Sequence, residues 1–152
     1  MKRRSFVLAA ATGVVARAVH AAEDEFHGDP YQSGIWIDMR RQYLGGAKVT
    51  YDPRVEVRGP AFAEDPMNVP ISVRVDPALG PVDRIAMLVD RNPIRLVLEY
   101  EPLAALPAIG FRFKLEQASP VRAAVLLKDG RWVVGGTLVD SSGGGCTVPG
   151  AT

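Results

Sequence analysis

The residue best placed for chemistry in this sequence of 152 amino acids is Cys146, its only cysteine. It follows Gly143, Gly144 and Gly145, and it stands seven residues after Val139, near the end of the last apolar run. A structural cysteine is usually buried in a core, whereas this thiol hangs from a glycine-rich tail. Residues 1–21 predict export, and a lone cysteine in an exported protein indicates either an intermolecular disulfide or a reactive thiol. Seven residues span at most about 25 Å, enough to carry the thiol into a pocket of another protein.

The tail that carries Cys146 offers nothing to activate the thiol. From Asp140 onward it contains no lysine, arginine or histidine. Neighbouring cations are what usually lower a thiol pKa, so we expect the pKa of Cys146 to stay near the reference of about 8.5. The sequence therefore predicts a passive carrier and not an enzyme, with activation supplied by a partner's pocket. An incidental thiol at a frayed terminus is the competing interpretation.

The sequence contains few residues suited to any other kind of catalysis. After removal of an export signal, His27 is the one remaining histidine, so the usual zinc sets of cysteine and histidine cannot form. A serine or cysteine nucleophile would depend on this same histidine. The carboxylates Asp65, Asp90 and Glu99 fall in or beside turns and polar strand faces, where we expect solvated charges. We predict no catalytic residue, no cofactor-binding residue and no metal site.

Residues 1–21 form a predicted export signal. Basic residues at positions 2–4 precede an apolar stretch over 6–15, and Val19-His20-Ala21 fits a signal-peptidase site. Residues 3–7 are also typical of a twin-arginine signal, which predicts a periplasmic location. Cleavage would remove four basic residues and no acidic one, taking the net charge from +1 to −3. A nucleic-acid partner is disfavoured because binding to phosphates needs a basic face. After the signal, no second apolar stretch is long enough to span a membrane, so we predict no membrane insertion.

Residues 22–50 contain one predicted amphipathic helix. Asp29 is suited to cap its start, Pro30 to its first position and Gln32 to a capping box. Gly45-Gly46 supplies a left-handed stop. Apolar residues between them follow the helical period, namely Trp36, Met39, Tyr43 and Leu44.

Residues 51–139 change to a period of two, with apolar and polar residues alternating. Asp129-Gly130 between the last two runs is typical of a two-residue type I′ hairpin turn. About seven short runs with turn residues every 8–12 positions predict an all-β, immunoglobulin-like antiparallel sandwich with one face of each strand in water. Residues 140–152 form a glycine-rich tail. The runs centre on Val55 and Val57, Val69 to Val75, Ile85 to Val89, Ile94 to Tyr100, Ile109 to Leu115, Val121 to Leu127, and Trp132 to Leu138.

The sequence resembles the SoxY family, the sulfur-carrier subunits of the bacterial thiosulfate-oxidising system. The resemblance rests on the twin-arginine-like signal, the segment from Pro60 to Pro70 with Ala63-Glu64-Asp65, the strand series, and the glycine-rich end with a single cysteine. Among these proteins it is most similar to the SoxYZ-like carriers associated with quinoprotein dehydrogenases. The resemblance implies that sulfur intermediates ride on Cys146, with Gly143, Gly144 and Gly145 as the swinging arm.

The resemblance also implies partners. Members pair with a SoxZ-type β-sandwich subunit as a heterodimer and serve separate periplasmic sulfur-oxidising enzymes or a quinoprotein dehydrogenase system. This chain stops at Thr152, so we expect either that the SoxZ-like partner is a separate chain or that the sequence is a partial product. The family tail ends Gly-Gly-Cys-Gly-Gly, whereas here bulkier residues, Thr147-Val148-Pro149, follow the cysteine.

Two other interpretations make Cys146 less central. The chain could be a non-catalytic, immunoglobulin-like interaction or chaperone module that offers an edge strand or apolar patch, in which case Cys146 is dispensable. It could also be a redox-regulated dimer joined by a Cys146–Cys146 disulfide. Three glycines before the only cysteine favour the carrier interpretation.

Overall fold

The structure, a computed structural model, describes residues 28–141. The predicted export signal over 1–21 and the predicted carrier site, Cys146 with Gly143, Gly144 and Gly145, lie outside the described residues. None of the helices within 28–141 is long and apolar enough to cross a membrane.

Residues 28–141 form one α-helix and eight β-strands, joined by short turns and loops. A short 3-10 helix over Pro77–Leu79 lies between the third and fourth strands. In chain order the elements are α1 (Ile35–Tyr43), β1 (Val49–Tyr51), β2 (Val55–Arg58), β3 (Val69–Val75), β4 (Val82–Val89), β5 (Leu96–Tyr100), β6 (Ala108–Phe113), β7 (Ser119–Leu127) and β8 (Trp132–Val139).

The strands build two sheets. One has five strands in the order β1-β8-β7-β4-β5, and the other has three in the order β2-β3-β6. Every pairing is antiparallel except that of β1 with β8. The predicted all-β, immunoglobulin-like sandwich is therefore confirmed. The strand beyond the seven expected is β1, whose three residues are too few to reveal an alternation.

The principal core fills the space between the two sheets. Strand β3 shows why it forms, since its odd-numbered residues from Val69 to Val75 are buried and the residues between them are exposed. Alternate side chains of a strand point to opposite faces, so this pattern directs one face of β3 into the core. Facing residues of β4 and β7, such as Met87 and Val125, are fully buried against it.

The five-stranded sheet is covered on both faces, contrary to the prediction of one face in water. Nearly every residue of β4 and β7 is buried, because α1 packs across the outer face of this sheet. Trp36 and Met39 of α1 contact a second buried cluster that includes Ala86, Ala124 and Val134. The fold thus has three layers, with the helix outermost.

The start of α1 differs from the prediction, whereas its end agrees. The helix begins at Ile35 after Gly34, with no side-chain cap. Asp29 lies well upstream, where its carboxylate accepts hydrogen bonds from the backbone amides of Tyr31 and Ser33. The same carboxylate also accepts hydrogen bonds from the guanidinium of Arg122. The predicted stop is confirmed, because Gly45 and Gly46 both adopt positive φ.

The hairpin between β7 and β8 is present, but its turn is not type I′. Gly130 has a φ of 88°, whereas Asp129 does not adopt a positive φ. The Asp129 carboxylate instead accepts hydrogen bonds from the backbone amide and the Nε of Arg131. This local side-chain contact stabilises a longer loop than the dipeptide predicts.

The close approach of β2 to β8 predicts that Gly135→Ala destabilises the fold. A methyl group at this position would overlap the backbone carbonyl of Val55. We expect a loss of about 1–3 kcal/mol in the free energy of unfolding, measured by chemical denaturation. Gly34→Ala is the matched control, because its added methyl group meets nothing within 4 Å, and it should change stability by less than about 0.5 kcal/mol. Equal effects of the two substitutions would contradict this packing.

Candidate functional site

The last described residues, at the end of β8, are held by backbone hydrogen bonds to the segment between β2 and β3. The backbone amide of Asp140 donates to the carbonyl of Ala61 at 2.8 Å, and the amide of Ala63 donates to the carbonyl of Asp140 at 2.8 Å. These bonds accompany a parallel bridge between Phe62 and Asp140. We call Asp140 and Ser141 the arm root.

The arm root limits where the thiol can reach. Ser141 is the last described residue, and Cys146 lies five residues further along the chain. Five residues span at most about 17 Å. The structure therefore shortens the reach expected from the sequence, because the segment from Val139 to Ser141 is held by the sandwich.

A groove of about 740 Å³ opens beside the arm root. One part of its lining is the N-terminal segment that precedes and begins α1, including Tyr31 and Ile35. The rest of the lining comes from Arg91, from the segment around the start of β7 and from the end of β8, namely Ala118, Pro120, Leu138 and Asp140. The groove combines apolar side chains with polar ones, of which Arg91 is cationic and Asp140 is anionic. Nowhere in residues 28–141 do histidine, cysteine or carboxylate side chains cluster in a way that could hold a metal ion.

Beneath the Tyr31 wall lies a buried ionic cluster around Arg122. This arginine and Asp90 are fully buried, and Asp29 is 4% exposed. The guanidinium binds both carboxylates in bidentate fashion, at 2.7 and 2.8 Å to Asp90 and at 2.6 and 2.9 Å to Asp29. Its remaining donor reaches the hydroxyl of Tyr51 at 2.7 Å. All five guanidinium hydrogens are thereby used.

Aromatic rings complete the surroundings of the guanidinium. Its central carbon lies 4.4 Å from the ring centroid of Trp36 and 4.8 Å from that of Tyr31. Both distances are in the range of cation–π attraction. Gly136 pairs with Arg122 across the β7–β8 ladder, and a methyl group on this glycine would come within 2.9 Å of the Tyr31 hydroxyl. The absence of a side chain there lets Tyr31 lie over the arginine.

Four separate segments bring these groups together. Arg122 lies on the helix-facing side of β7, and Asp90 follows the end of β4, next to the paired residues Val89 and Val121. Tyr51 ends β1, and Asp29 arrives with the N-terminal segment. The cluster therefore ties the wall of the groove to the centre of the five-stranded sheet.

The cluster changes the acidity of its members. Burial alone would raise the pKa of Asp29, but hydrogen bonds from Arg122 and from the amides of Ser33 and Tyr31 outweigh it and leave the pKa below its ordinary value. Burial raises the pKa of Tyr51 well above its ordinary value, and the Asp29 carboxylate adds to this rise. The Arg122 pKa is raised despite burial, because Asp90 and Asp29 bind the cation. An ionised carboxylate at Asp29 and a neutral phenol at Tyr51 follow at neutral pH.

The carboxylates singled out from the sequence divide into two groups. Asp65 and Glu99 are exposed, as expected, and Glu99 pairs with Arg84 at 3.1 Å. The expectation for Asp90 is wrong, since it is fully buried against Arg122. Arg122 itself was not among the residues predicted from the sequence. The sequence does contain a feature that could have revealed this buried arginine, since Arg122 is the one charged residue in the otherwise apolar run of β7.

Comparison with known proteins places the chain by sequence and by fold. The family model described as sulfur oxidation protein SoxY matches residues 40–146, a range that includes Cys146. No curated protein matches the sequence. Among solved structures, the sulfur carrier protein SoxY from Chlorobium limicola f thiosulfatophilum is similar, with a TM-score of 0.62 and 16% identity over 79% of this chain and 98% of that one.

Superoxide reductases share the same sandwich at greater distance. A neelaredoxin from Ignicoccus hospitalis has a TM-score of 0.51 at 14% identity, covering 61% of this chain and 94% of its own. A putative superoxide reductase from Thermotoga maritima has a TM-score of 0.52 at 15% identity, covering 62% and 92%. At these identities the likeness shows the fold alone.

The buried cluster predicts that Arg122→Met strongly destabilises the protein. The substitution leaves the Asp29 and Asp90 carboxylates buried without their cation, which typically costs about 3–5 kcal/mol. Chemical denaturation measures the loss. Arg74→Met, an exposed substitution on β3, is the matched control and should stay within about 0.5 kcal/mol of the parent. A loss below about 1 kcal/mol for Arg122→Met would contradict the role given to the cluster.

The lowered pKa of Asp29 predicts a specific dependence of stability on pH. A carboxyl group whose pKa is lower in the folded state stabilises the protein above its unfolded pKa of about 3.9, and this contribution is lost as pH falls further. Asp29→Asn should therefore be less stable than the parent at neutral pH, and the difference should shrink below about pH 4. Asp52, with a pKa lowered to about 2 by Arg54, affects both proteins alike. A difference that stays constant down to about pH 2 would contradict the assignment.

Proposed function

The chain belongs to the SoxY family of sulfur oxidation proteins, and from this premise we propose that it is a sulfur carrier that holds its cargo covalently on Cys146. The observation that carries the proposal is the family match itself, which extends over the sandwich and includes Cys146. The similar solved structure is described as a sulfur carrier protein. Cys146 is the only thiol of this chain, so covalent sulfur chemistry of this type has one place to occur.

The geometry of the arm root supports a carrier. A carrier needs a fixed base and a length of chain that delivers the cargo elsewhere, and the backbone bonds at Asp140 provide the base. Beyond Ser141, the glycines at positions 143–145 have the backbone freedom that a swinging arm requires. The reach of about 17 Å from Ser141 suits insertion of the thiol into a partner enzyme's pocket.

The chemistry of loading is an oxidative S–S coupling. With thiosulfate as cargo, the Cys146 thiol loses its proton and its sulfur bonds to the terminal sulfur of thiosulfate, forming a cysteine S-thiosulfonate. This bond formation releases two electrons and one proton, and the electrons pass to a separate oxidoreductase that binds the arm. The thiol stays attached to this chain throughout, while the partner supplies the redox centre. A persulfide or a disulfide adduct would ride on the same sulfur atom.

The carrier is proposed to be non-catalytic. The groove beside the arm root is lined by apolar groups, by the polar residues Tyr31, Gln32 and Ser33, and by Arg91 and Asp140. The titratable residues of the buried cluster are occupied with one another. A carrier of this kind depends on other proteins for chemistry. We propose a SoxZ-like β-sandwich subunit as its heterodimer partner, and sulfur-oxidising enzymes or a quinoprotein dehydrogenase system as its clients.

The proposed location is the periplasm, reached by the twin-arginine route. Residues 1–21 carry the paired arginines, the apolar stretch and the cleavage pattern that support it. An oxidising compartment also suits a protein whose proposed role depends on forming S–S bonds.

The proposal predicts a sulfur adduct on Cys146. Intact mass spectrometry of the exported protein, taken from its native cells before and after reductant, should show a reductant-labile increment of sulfur or thiosulfate size. Peptide mapping should place it on Cys146, and Cys146→Ser should fold normally and carry none. Thr147→Ser, a change of similar size at the next position, should retain the adduct.

An unmodified monomer mass under all growth conditions would contradict the carrier proposal and favour an interaction or chaperone module. A reductant-labile mass of twice the chain would instead indicate a disulfide dimer through Cys146. An adduct that persists in Cys146→Ser would show that the cargo is held elsewhere.

A further inference from the structure

The three-stranded sheet presents an open outer face. The residues of β3 and β6 that point away from the core are exposed, whereas α1 packs across the outer face of the five-stranded sheet. These exposed residues are small or cationic, namely Pro70, Ser72 and Arg74 on β3 and Ala108, Gly110 and Arg112 on β6. The face offers no large apolar side chain to bury, so it is suited to a polar ligand and not to a further layer of core.

The strand register surrounds Ser72 with three arginines. Arg58 of β2 and Gly110 of β6 lie directly opposite Ser72, one on each side. Arg74 follows two residues later on the same face of β3, and Arg112 lies diagonally across from Ser72 on β6. Opposite residues on one face have Cβ atoms about 5 Å apart, and diagonal neighbours are about 7–8 Å apart. Three guanidinium groups are therefore within reach of one small ligand above Ser72.

Gly110 leaves a depression in the middle of this face. The depression has a volume of about 350 Å³. Besides Gly110, its lining includes Glu56, Arg58, Ser72, Arg74 and Ala108. A Cβ atom added at Gly110 would meet only the carbonyl oxygen of Ile71, at 3.9 Å, so packing does not require a glycine here. The missing side chain instead opens space for a ligand of a few atoms between the arginines.

The charges around Ser72 do not cancel. Arg58 forms an ion pair with Glu56, which is the one carboxylate in the lining of the depression. Arg74 and Arg112 form no ion pair within residues 28–141. Three arginines and one glutamate give a local net charge of +2. This charge is matched by a divalent anion.

The nearest other carboxylates are engaged by groups of their own. Asp76, two residues beyond Arg74, accepts a hydrogen bond from the backbone amide of Ala78 at 2.8 Å. Asp52 binds Arg54 through both of its oxygens. The guanidinium of Arg74 thus keeps its donors for a ligand from outside the chain.

This combination of groups indicates the chemistry of the ligand. Guanidinium groups bind oxyanions by short, charge-assisted hydrogen bonds, and the hydroxyl of Ser72 can donate another. We propose that the outer face of the three-stranded sheet binds a divalent tetrahedral oxyanion above Ser72, held by Arg58, Arg74 and Arg112. Thiosulfate and sulfate share this charge and shape.

The oxyanion site lies at the same end of the sandwich as the arm root. The carbonyl of Ala61, three residues after Arg58, accepts the hydrogen bond from the amide of Asp140. Binding at the site is non-covalent and does not use Cys146, so it does not depend on what the thiol carries. The site would hold free oxyanion close to the base of the arm.

A nuclear magnetic resonance titration of the exported chain carrying Cys146→Ser tests the proposal, because this variant cannot form a covalent adduct. Thiosulfate and sulfate are added separately, with chloride at equal ionic strength as the control anion. We expect both dianions to shift the backbone amide signals of Ser72 and Gly110 saturably, with a dissociation constant of about 1 mM or below. Chloride should give no saturable shift. Equal constants would assign the site to divalent oxyanions in general, and tighter binding of thiosulfate would assign it to the sulfur cargo.

Two substitutions separate a built site from diffuse electrostatic attraction. Arg74→Gln removes one cation and should weaken binding at least about threefold. Gly110→Val keeps every arginine but fills the depression, and it should abolish binding. Arg41→Gln is the matched control, because Arg41 lies on α1 and its side chain is 75% exposed, and it should leave binding unchanged. Thermal melting checks that each variant is folded.

The absence of saturable shifts up to about 20 mM of either dianion would overturn the proposal. Binding that survives Gly110→Val in a folded protein would overturn it too, since the oxyanion would then be held elsewhere. If Gly110→Val does not fold, Ser72→Ala replaces it, and undiminished binding by that variant would count against the site.

Discussion

The structure depends most on one buried cation and the groups that satisfy it. Arg122 lies in the middle of the five-stranded sheet, where an unpaired guanidinium would be very costly. Two carboxylates, one phenol and two aromatic rings surround it, so each of its hydrogens has a partner. An ionic cluster of this kind adds little net stability compared with well-packed apolar residues, but separating its members would leave a buried charge without its partner. Its effect is to specify which segments meet.

That specification connects the core to the arm root. The Asp29 carboxylate holds the N-terminal segment against β7, and the ring of Tyr31, two residues later, both covers Arg122 and lines the groove. The helix α1 then continues across the sheet and buries Trp36 and Met39. These contacts fix the positions of the groove, the helix and the end of β8 relative to one another. The proposed carrier role needs such a rigid base, because the base sets the points from which the Cys146 thiol would be delivered.

The sandwich also separates its surfaces by task. The proposed carrier chemistry starts at the end of β8, while α1 covers the outer face of the five-stranded sheet. Partners that bind a carrier at separate surfaces do not exclude one another. The three-layer arrangement makes this possible, since the helix removes one large apolar face from competition.

The sequence by itself determined the strands, the end of the helix and the one residue capable of thiol chemistry. Alternation from Val69 to Val75 reveals a strand because side chains of a strand point to opposite faces, and glycines at 45 and 46 end a helix because they accept positive φ. These are local properties of the chain. Only the tertiary structure decided that Asp29 serves Arg122 and not a helix start, that Asp90 is buried, and that β4 and β7 are covered on both faces. In each case the deciding partner lies far along the chain: Asp29 and Arg122 are 93 residues apart. The sequence does not show whether the hydrogen-bond partner of a carboxylate is water or a buried arginine. Only folding brings the arginine and the carboxylate together.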